Sequence, residues 1–209
     1  MHKTAILIDG GWMAPAVSHK LKVNFATAEQ IYNNAISILE DDEELYRVFY
    51  YDSAPYIGKQ RNPLSNEEID FSQNPGVAGR ERFLKELNSK PQVALRIGSL
   101  AFRGWKLTEQ VHNDLLNSKI KAVEINSSHI KPNFMQKGVD MKIGIDIASL
   151  VFKKIVSRII LFSADTDMTP AMKLARIEGV QIGMVQIGNT PLNSKLIEDS
   201  DFVRKLDVK

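Results

Sequence analysis

The chain lacks cysteine, and this absence narrows the chemistry available to it. Without thiols it forms no disulfides, has no cysteine nucleophile and offers no cysteine ligand to zinc, and the absence suits a reducing cytoplasm. No apolar run approaches the ~18 residues that a membrane-spanning helix needs. The opening residues MHKTAILIDGG contain no signal-peptide core. We therefore expect a cytoplasmic protein with no membrane partner.

Phosphate-binding loops and histidine clusters are also missing. Neither GxGxxG nor GxxxxGKS/T occurs, so a dinucleotide site and a P-loop lack support. His2, His19, His112 and His129 are scattered without metal-ligand spacing. The net charge of +2 is too small to indicate a nucleic-acid-binding protein by itself. The acidic run EDDEE, residues 40–44, is interpreted as solvated surface.

What the chain has is an alternation of strand-like and helix-like segments. TAILID, LYRVFYYD, QVALRIGSL, KIKAVEI, RIILFS and VQIGMVQI read as strands, and helical patterns separate most of them. Such alternation predicts α/β architecture: a mostly parallel central sheet with helices on both faces, in one domain spanning residues 1–209. Residues 53–76 are polar and contain three prolines. This stretch is long for a structureless loop, which makes it a candidate insertion.

Local signals define several helix ends. Thr27 and Gln30 have the spacing of a capping box at the start of TAEQIYNNAISILE. A strongly apolar helix is predicted from Lys137 to Lys154. In PAMKLARIEG, Thr169 is predicted to cap the helix and Pro170 to take its first position.

Two predicted strands end in aspartate. Asp9 follows AILI, and Asp165 and Asp167 follow RIILF with two residues between them and the strand. Ligands of open parallel sheets gather beyond the carboxyl ends of the strands. Aspartate is also common in turns and at helix N-caps, so each residue alone could serve only the local backbone.

The predicted helix 137–154 supplies further acids. At 100° per residue Asp140 lies in line with Ile147 and Val151, on the apolar face, where a lone carboxylate is costly unless it is paired or binds a metal. Asp146 shares the opposite, solvated face with Lys142, four residues before it, and is predicted to form a surface ion pair. Asp140 is therefore the candidate functional residue of this helix.

Asp9, Asp140, Asp165 and Asp167 could converge at one edge of the sheet. Two carboxylates ~4 Å apart repel by roughly 4 kcal/mol at an effective dielectric of 20, so such a group takes up protons or binds a cation. Oxygen ligands without cysteine or histidine favour Mg²⁺ or Mn²⁺ over zinc. A site of this kind suits phosphodiester hydrolysis.

These residues, taken together, resemble the NYN domain, a PIN-like nuclease family that includes the LabA-like proteins. The family's IDGxN appears as Ile8-Asp9-Gly10-Gly11-Trp12, its KxVDxxLxxD as Lys137 to Asp146, and its SGDSDFxPL as Ser163 to Ala171. The resemblance implies a PIN-like three-layer α/β/α sandwich and a Mg²⁺- or Mn²⁺-dependent ribonuclease, a hydrolase with RNA as substrate. It carries the catalytic and metal-binding roles to Asp9, Asp140, Asp165 and Asp167, and Asp146 also matches an acidic position. Trp12, Ala164 and Met168 depart from the pattern.

Other interpretations stay open. Trp12 in place of asparagine and Ala164 in place of glycine are compatible with a non-catalytic NYN module that binds RNA or a protein. The stretch DTDMT, residues 165–169, fits the DxDxT motif of haloacid-dehalogenase-like phosphatases, which normally lies on the first strand. Four basic residues could contact RNA phosphates: Arg103, Lys131, Lys137 and Lys142. Trp12 could stack on a base or pack in the core, and a homo-oligomer is left open.

Overall fold

A computed structural model describes residues 1–209, and the chain forms two compact units. The first unit comprises residues 1–53, 82–98 and 138–209, and the second comprises residues 54–81 and 99–137. No helix has the length and apolar character needed to cross a membrane. The prediction that residues 1–209 make a single domain stays a prediction.

The regular elements alternate along the chain. The strands are β1 (His2–Asp9), β2 (Glu43–Ser53), β3 (Lys59–Arg61), β4 (Glu68–Asp70), β5 (Val93–Leu107), β6 (Ile130–Lys137), β7 (Arg158–Phe162), β8 (Gln181–Ile187) and β9 (Phe202–Leu206). The helices are α1 (Gly10–Leu21), α2 (Ala28–Ile36), α3 (Pro75–Asn88), α4 (Glu109–Leu116), α5 (Val139–Phe152), α6 (Thr169–Ile177) and α7 (Ser194–Glu198).

The sheet of the first unit is parallel throughout. Its order is β5-β2-β1-β7-β8-β9, with residues 93–98 of β5 paired to β2. Because the strands run in one direction, their carboxyl ends lie at one edge, as in other open α/β sheets. The predicted mostly parallel sheet is confirmed.

Helices cover both faces of this sheet. Ala5 and Leu7 of β1 pack in a core with α5 and α6, whereas the alternate residues Ile6 and Ile8 pack in a core with α1 and α2. Residues of a strand point alternately to opposite faces, so the buried run of β1 fills both cores. The predicted three-layer α/β/α architecture is confirmed.

Local predictions had mixed outcomes. The capping box is present, with Gln30 N–H donating to Thr27 Oγ1 at 3.2 Å and Thr27 N–H donating to Gln30 Oε1 at 2.9 Å. The predicted strand KIKAVEI is wrong, because residues 122–124 form a 3-10 turn instead. The helix predicted from Lys137 begins at Val139, and Lys137 ends β6.

The second unit is built on an antiparallel pair and a hairpin. Residues 99–107 of β5 pair with β6, and β3 pairs with β4 inside the polar segment 53–76. This segment therefore contains a hairpin, and the prediction that residues 53–76 are an insertion stays a prediction. Aromatic rings of the unit pack together: Tyr56, Phe71, Phe102, Trp105 and Phe134.

Candidate metal-binding site

Asp9 ends β1 and caps α1. Its Oδ1 accepts a hydrogen bond from Gly11 N–H at 3.0 Å, which satisfies one of the free donors of the helix start. Burial raises the pKa of the Asp9 carboxyl above its ordinary value, and the charges of Asp140 and Asp165 add to the increase. The hydrogen bonds from the backbone of Gly11 and Trp12 oppose this shift. The carboxylate is thus held in place in an environment that disfavours its charge.

Gly10 allows α1 to begin directly after Asp9. A Cβ atom at this position would lie 2.5 Å from the Tyr50 ring and hydroxyl and 2.6 Å from Oδ2 of Asp52. Only glycine fits without displacing these two buried side chains. The glycine of the IDG stretch is therefore required by packing against β2.

Asp165 and Asp167 lie in a 3-10 turn that follows β7. Oδ1 of Asp165 accepts from Asp167 N–H at 2.9 Å, and Asp165 N–H donates to Ser163 Oγ at 3.1 Å. Asp165 is half-buried and Asp167 is exposed. The predicted capping role of Thr169 is wrong, because Thr169 is itself helical and the residue before it provides no side-chain cap. Asp165 caps the 3-10 turn instead.

Asp140 lies in the first turn of α5, where it is exposed. The predicted burial is therefore wrong, although Ile147 and Val151 of the same helix face are buried in the core. The first turn of α5 nevertheless lies close enough to Asp9 for the charge of Asp140 to affect its ionisation. Desolvation raises the pKa of Asp140, and the charges of Asp165 and Asp167 raise it further.

Two of the aspartates thus respond to the charges of the others: the pKa of Asp9 to Asp140 and Asp165, and the pKa of Asp140 to Asp165 and Asp167. Each carboxylate that stays charged makes the ionisation of its neighbours more costly, which is the behaviour expected of several acids at one site. The donor set consists of carboxylate oxygens alone. Such ligands fit a hard divalent cation such as Mg²⁺ or Mn²⁺, which would relieve the repulsion.

Asp146 has partners other than the predicted one. Its Oδ2 accepts from Arg96 Nε at 2.7 Å and from the Tyr51 hydroxyl at 2.8 Å, and its side chain is 19% exposed. The predicted surface pair with Lys142 is wrong. The exposed face of α5 instead carries Met141, Ile145 and Phe152.

Arg96 and Tyr51 were missed by the sequence reasoning. Tyr51 pairs in register with Asp9 on one side and with Arg96 on the other, so the three lie in one row across the sheet. Burial and the charge of Asp146 raise the pKa of the Tyr51 hydroxyl. The arginine within the apolar segment QVALRIGSL was the available signal, since an arginine in a covered strand needs a partner.

Trp12 follows Asp9 in the first turn of α1. Its side chain is partly buried and packs against the core that contains Met13 and Val17. The core interpretation of this residue is therefore the one that its packing supports.

A second acidic group lies at the opposite edge of the sheet. One carboxylate oxygen from each of Glu40, Asp42 and Glu43 lies within 4.8 Å of the others, a closeness that the four aspartates do not reach. Two arginines pair with this group: oxygens of Glu43 lie 2.9 Å from Arg158 Nη1 and 2.6 Å from Arg204 Nη1. It is an ion-pair network of the fold, and the prediction of solvated surface is wrong for Glu43, whose side chain is fully buried.

The position of DTDMT separates two enzyme classes. The motif follows β7, the seventh of nine strands in the chain, whereas the phosphatase motif normally lies on the first strand. Only two strands, β8 and β9, follow it. The arrangement disfavours the phosphatase interpretation.

An open parallel sheet covered on both faces, with acids at the carboxyl ends of its strands, defines an α/β protein whose candidate site lies where such sheets bind ligands. The family model of the NYN domain matches residues 69–206, more than half of the chain. The chain belongs to the NYN domain family, which is part of the PIN-like nuclease superfamily. Asp140, Asp165 and Asp167 fall within the matched range, and Asp9 precedes it.

Solved structures show the same fold. VPA0982, a protein of unknown function from Vibrio parahaemolyticus, is 14% identical, with a TM-score of 0.52 over 99% of this chain and 93% of that chain. At this identity the likeness concerns the fold alone. No curated protein matches the chain.

Proposed function

We propose that the chain is a metal-dependent ribonuclease that hydrolyses RNA phosphodiester bonds at Asp9, Asp140, Asp165 and Asp167. The observation that carries the proposal is the closeness of these acids: burial raises the pKa values of Asp9 and Asp140, and the charges of neighbouring aspartates raise them further. NYN domains generally act on RNA, and PIN-like nucleases are generally dependent on divalent metals. A cytoplasmic location is part of the same proposal.

The four aspartates are the residues that would hold a divalent ion. When bound, a Mg²⁺ or Mn²⁺ ion would polarise the phosphodiester and lower the pKa of a water. Asp9 and Asp165 contribute fixed acceptors, because each is oriented by a backbone N–H of the following turn. Asp140 stands in the first turn of α5, where the helix dipole favours negative charge.

The test is cleavage of labelled RNAs by the full chain with Mg²⁺ or Mn²⁺. Asp165→Asn keeps the size of the side chain and its capping oxygen but removes the charge, and we expect it to lower the cleavage rate by at least a hundredfold. Asp207→Asn is the matched control, because Asp207 is exposed and lies outside the group; its rate should equal that of the wild type. Equal rates for all three proteins, or no cleavage of varied RNAs by the wild type, would overturn the proposal.

One observation favours a second function, a non-catalytic NYN module. Trp12 replaces the motif's asparagine and packs against the core, so it supplies no side-chain amide beside Asp9. RNA binding that is sensitive to salt but unchanged by Mg²⁺ or Mn²⁺, without cleavage, would select this alternative over the ribonuclease.

A further inference from the structure

The two strands that pair in the second unit form a ribbon, here residues 99–107 of β5 and residues 130–137 of β6. Phe102 pairs in register with Phe134, and both rings pack with Tyr56. This side of the ribbon is its inner face. Because strand residues alternate between faces, the residues between these aromatics lie on the other side, the outer face. The outer face carries Ser99, Ala101, Arg103, Lys106, Lys131, Asn133, Met135 and Lys137.

All the charges on the outer face are positive. Its four cations, Arg103, Lys106, Lys131 and Lys137, are all exposed. Neither strand of the ribbon contains an aspartate or a glutamate. None of the four cations forms an ion pair, whereas Lys59 and Lys119 of the same unit each lie within 4.0 Å of a carboxylate. The charge of this face is therefore not compensated within the fold.

Two of these lysines oppose each other directly. Lys106 pairs in register with Lys131, which brings their Cβ atoms to within about 4.5–5.5 Å. Like charges at such positions destabilise a sheet. Proteins violate a local rule of this kind mainly at functional sites. A bound anion would turn the repulsion between the two side chains into a favourable contact.

Arg103 lies next to an irregularity in the pairing of the ribbon. The register shifts between Phe102 and Trp105, and Gly104 in this stretch has a φ of +88°, a conformation that favours glycine. Bulges of this kind re-aim neighbouring side chains. Arg103 precedes the glycine and is exposed on the outer face.

The extent of the charge indicates a polymer. Lys131 and Lys137 are six residues apart on one strand, which corresponds to about 20 Å. One phosphate could contact the opposed lysines but not the far end of the strand, whereas a chain of phosphates could contact all four cations. We propose that the outer face of the ribbon binds the phosphate backbone of RNA. The choice of RNA over other polyanions rests on the proposed ribonuclease function.

The test is binding of a fluorescein-labelled 20-nucleotide single-stranded RNA to the full chain, in EDTA, across a range of salt concentrations. Lys106→Gln/Lys131→Gln removes two phosphate contacts, and we expect the slope of log K against log salt to decrease in magnitude by about 1.4. Lys59→Gln/Lys119→Gln, in the same unit, is the matched control and should keep the wild-type slope. Relief of the lysine repulsion should leave the melting temperature of the first variant equal or higher, which shows that any loss of binding is not unfolding.

The salt dependence of RNA binding by the two variants tests the proposed RNA-binding face. A reduced slope for Lys106→Gln/Lys131→Gln alone supports the RNA-binding face. An equal slope in both variants, or binding of poly-glutamate as tight as that of RNA, overturns it. Because EDTA keeps divalent ions out of the assay, binding is measured apart from cleavage. If the wild type cleaves RNA but the salt slope does not depend on Lys106 and Lys131, the ribbon proposal alone fails. If the wild type binds RNA with the expected slope but does not cleave it, the ribonuclease proposal alone fails.

Discussion

Asp9 and Asp165 each combine a structural task with a candidate chemical one. Each carboxylate accepts a backbone hydrogen bond that closes the turn after its strand, at 3.0 Å for Asp9 and 2.9 Å for Asp165. Capping and metal binding are often weighed as alternatives for such residues. Here the cap fixes the orientation of the carboxylate, so it assists a site in which several acids must face one ion.

The ionisation of Asp9 gives a prediction on stability. Its folded pKa lies above the ordinary value of 3.8, so the folded chain holds the proton more tightly than the unfolded chain does. The resulting destabilisation is complete above the folded pKa and is relieved as the pH falls through it. Asp9→Asn keeps the capping oxygen and removes the charge. In EDTA at pH 8 we expect it to melt a few degrees above the wild type, with the difference shrinking as the pH falls through the folded pKa and vanishing below 3.8.

Mg²⁺ should reverse the order of the melting temperatures of the wild type and Asp9→Asn. The ion stabilises only a site that binds it, so the wild type should gain melting temperature on titration and Asp9→Asn should gain less. Asp207→Asn serves as the control for loss of a surface charge. A lower melting temperature of Asp9→Asn at pH 8 in EDTA would contradict the electrostatic account.

Gly10 gives a second prediction at the residue scale. Gly10→Ala places a methyl group 2.5 Å from the Tyr50 ring, and we expect it to lower the free energy of unfolding by about 1–3 kcal/mol. Gly144→Ala is a matched control within α5, where an added Cβ meets nothing within 4 Å. A helical glycine replaced by alanine should gain about 0.5–1 kcal/mol. Chemical denaturation measures both, and equal stability of the two variants would contradict the packing argument.

At the scale of elements, α5 carries one candidate site residue and one anchor. Asp140 stands in its first turn, and Asp146 binds the sheet through Arg96 and Tyr51. The anchor lies less than two helical turns after Asp140, about 9 Å along the axis. It therefore restricts how the start of the helix can move relative to Asp9.

The anchor can be tested by removing its carboxylate. Asp146→Ala leaves the Arg96 charge and the Tyr51 hydroxyl without their partner, which should cost about 1–2 kcal/mol, because the arginine remains partly solvated. Lys142→Ala on the same helix should change stability by less than about 0.5 kcal/mol, since Lys142 forms no ion pair. Thermal melts compare the two variants, and an equal loss of stability in both would contradict the anchoring role of Asp146.

The elements also show what the sequence could predict. Buried strands such as β1 and β7 and the capping box of α2 follow from local patterns, because their signals lie within a few residues. The edge strand β6 was missed, since IKPNFMQK contains a proline and no clear alternation. The exposure of Asp140 could not be predicted, because the helical period does not indicate where the helix passes the edge of the sheet.

At the scale of the whole molecule, the acidic group around Glu43 is paired with arginines, whereas the acidic group around Asp9 is not. Glu43 stands at the start of β2, and its partners Arg158 and Arg204 follow it by 115 and 161 residues. No sequence pattern could connect residues so far apart. Asp9 lies at the other end of the strands. The only charged groups that shift its pKa are the carboxylates of Asp140 and Asp165, which have the same sign.

The buried network at Glu43 predicts a pH dependence of the opposite sign. Desolvation raises the pKa of Glu43, but hydrogen bonds from Arg204, the Glu40 backbone and Arg158 outweigh it, and the net pKa is lowered. The stabilisation is fully present above the ordinary value of 4.5 and is lost as the pH falls through the folded pKa.

Substitution at this position tests the network. At pH 7 we expect Glu43→Gln to cost about 3 kcal/mol, because two arginines lose a buried partner. The difference from the wild type should shrink below the folded pKa, where the wild-type glutamate is itself neutral. Glu44→Gln, an exposed neighbour, should have no effect. Denaturation curves measured at pH 7 and at a pH below the folded pKa test this. A loss of stability that is equal at the two pH values would contradict the charge argument.

The central claim is that the four aspartates, and not the arginine-paired acids, form the metal site. The most direct measurement is the anomalous scattering of a crystal grown with Mn²⁺. The account predicts a manganese peak within coordination distance of Asp9, Asp140 and Asp165, and none at Glu40, Asp42 and Glu43. A peak only at the second group, or no peak beside Asp9 at saturating Mn²⁺, would contradict it.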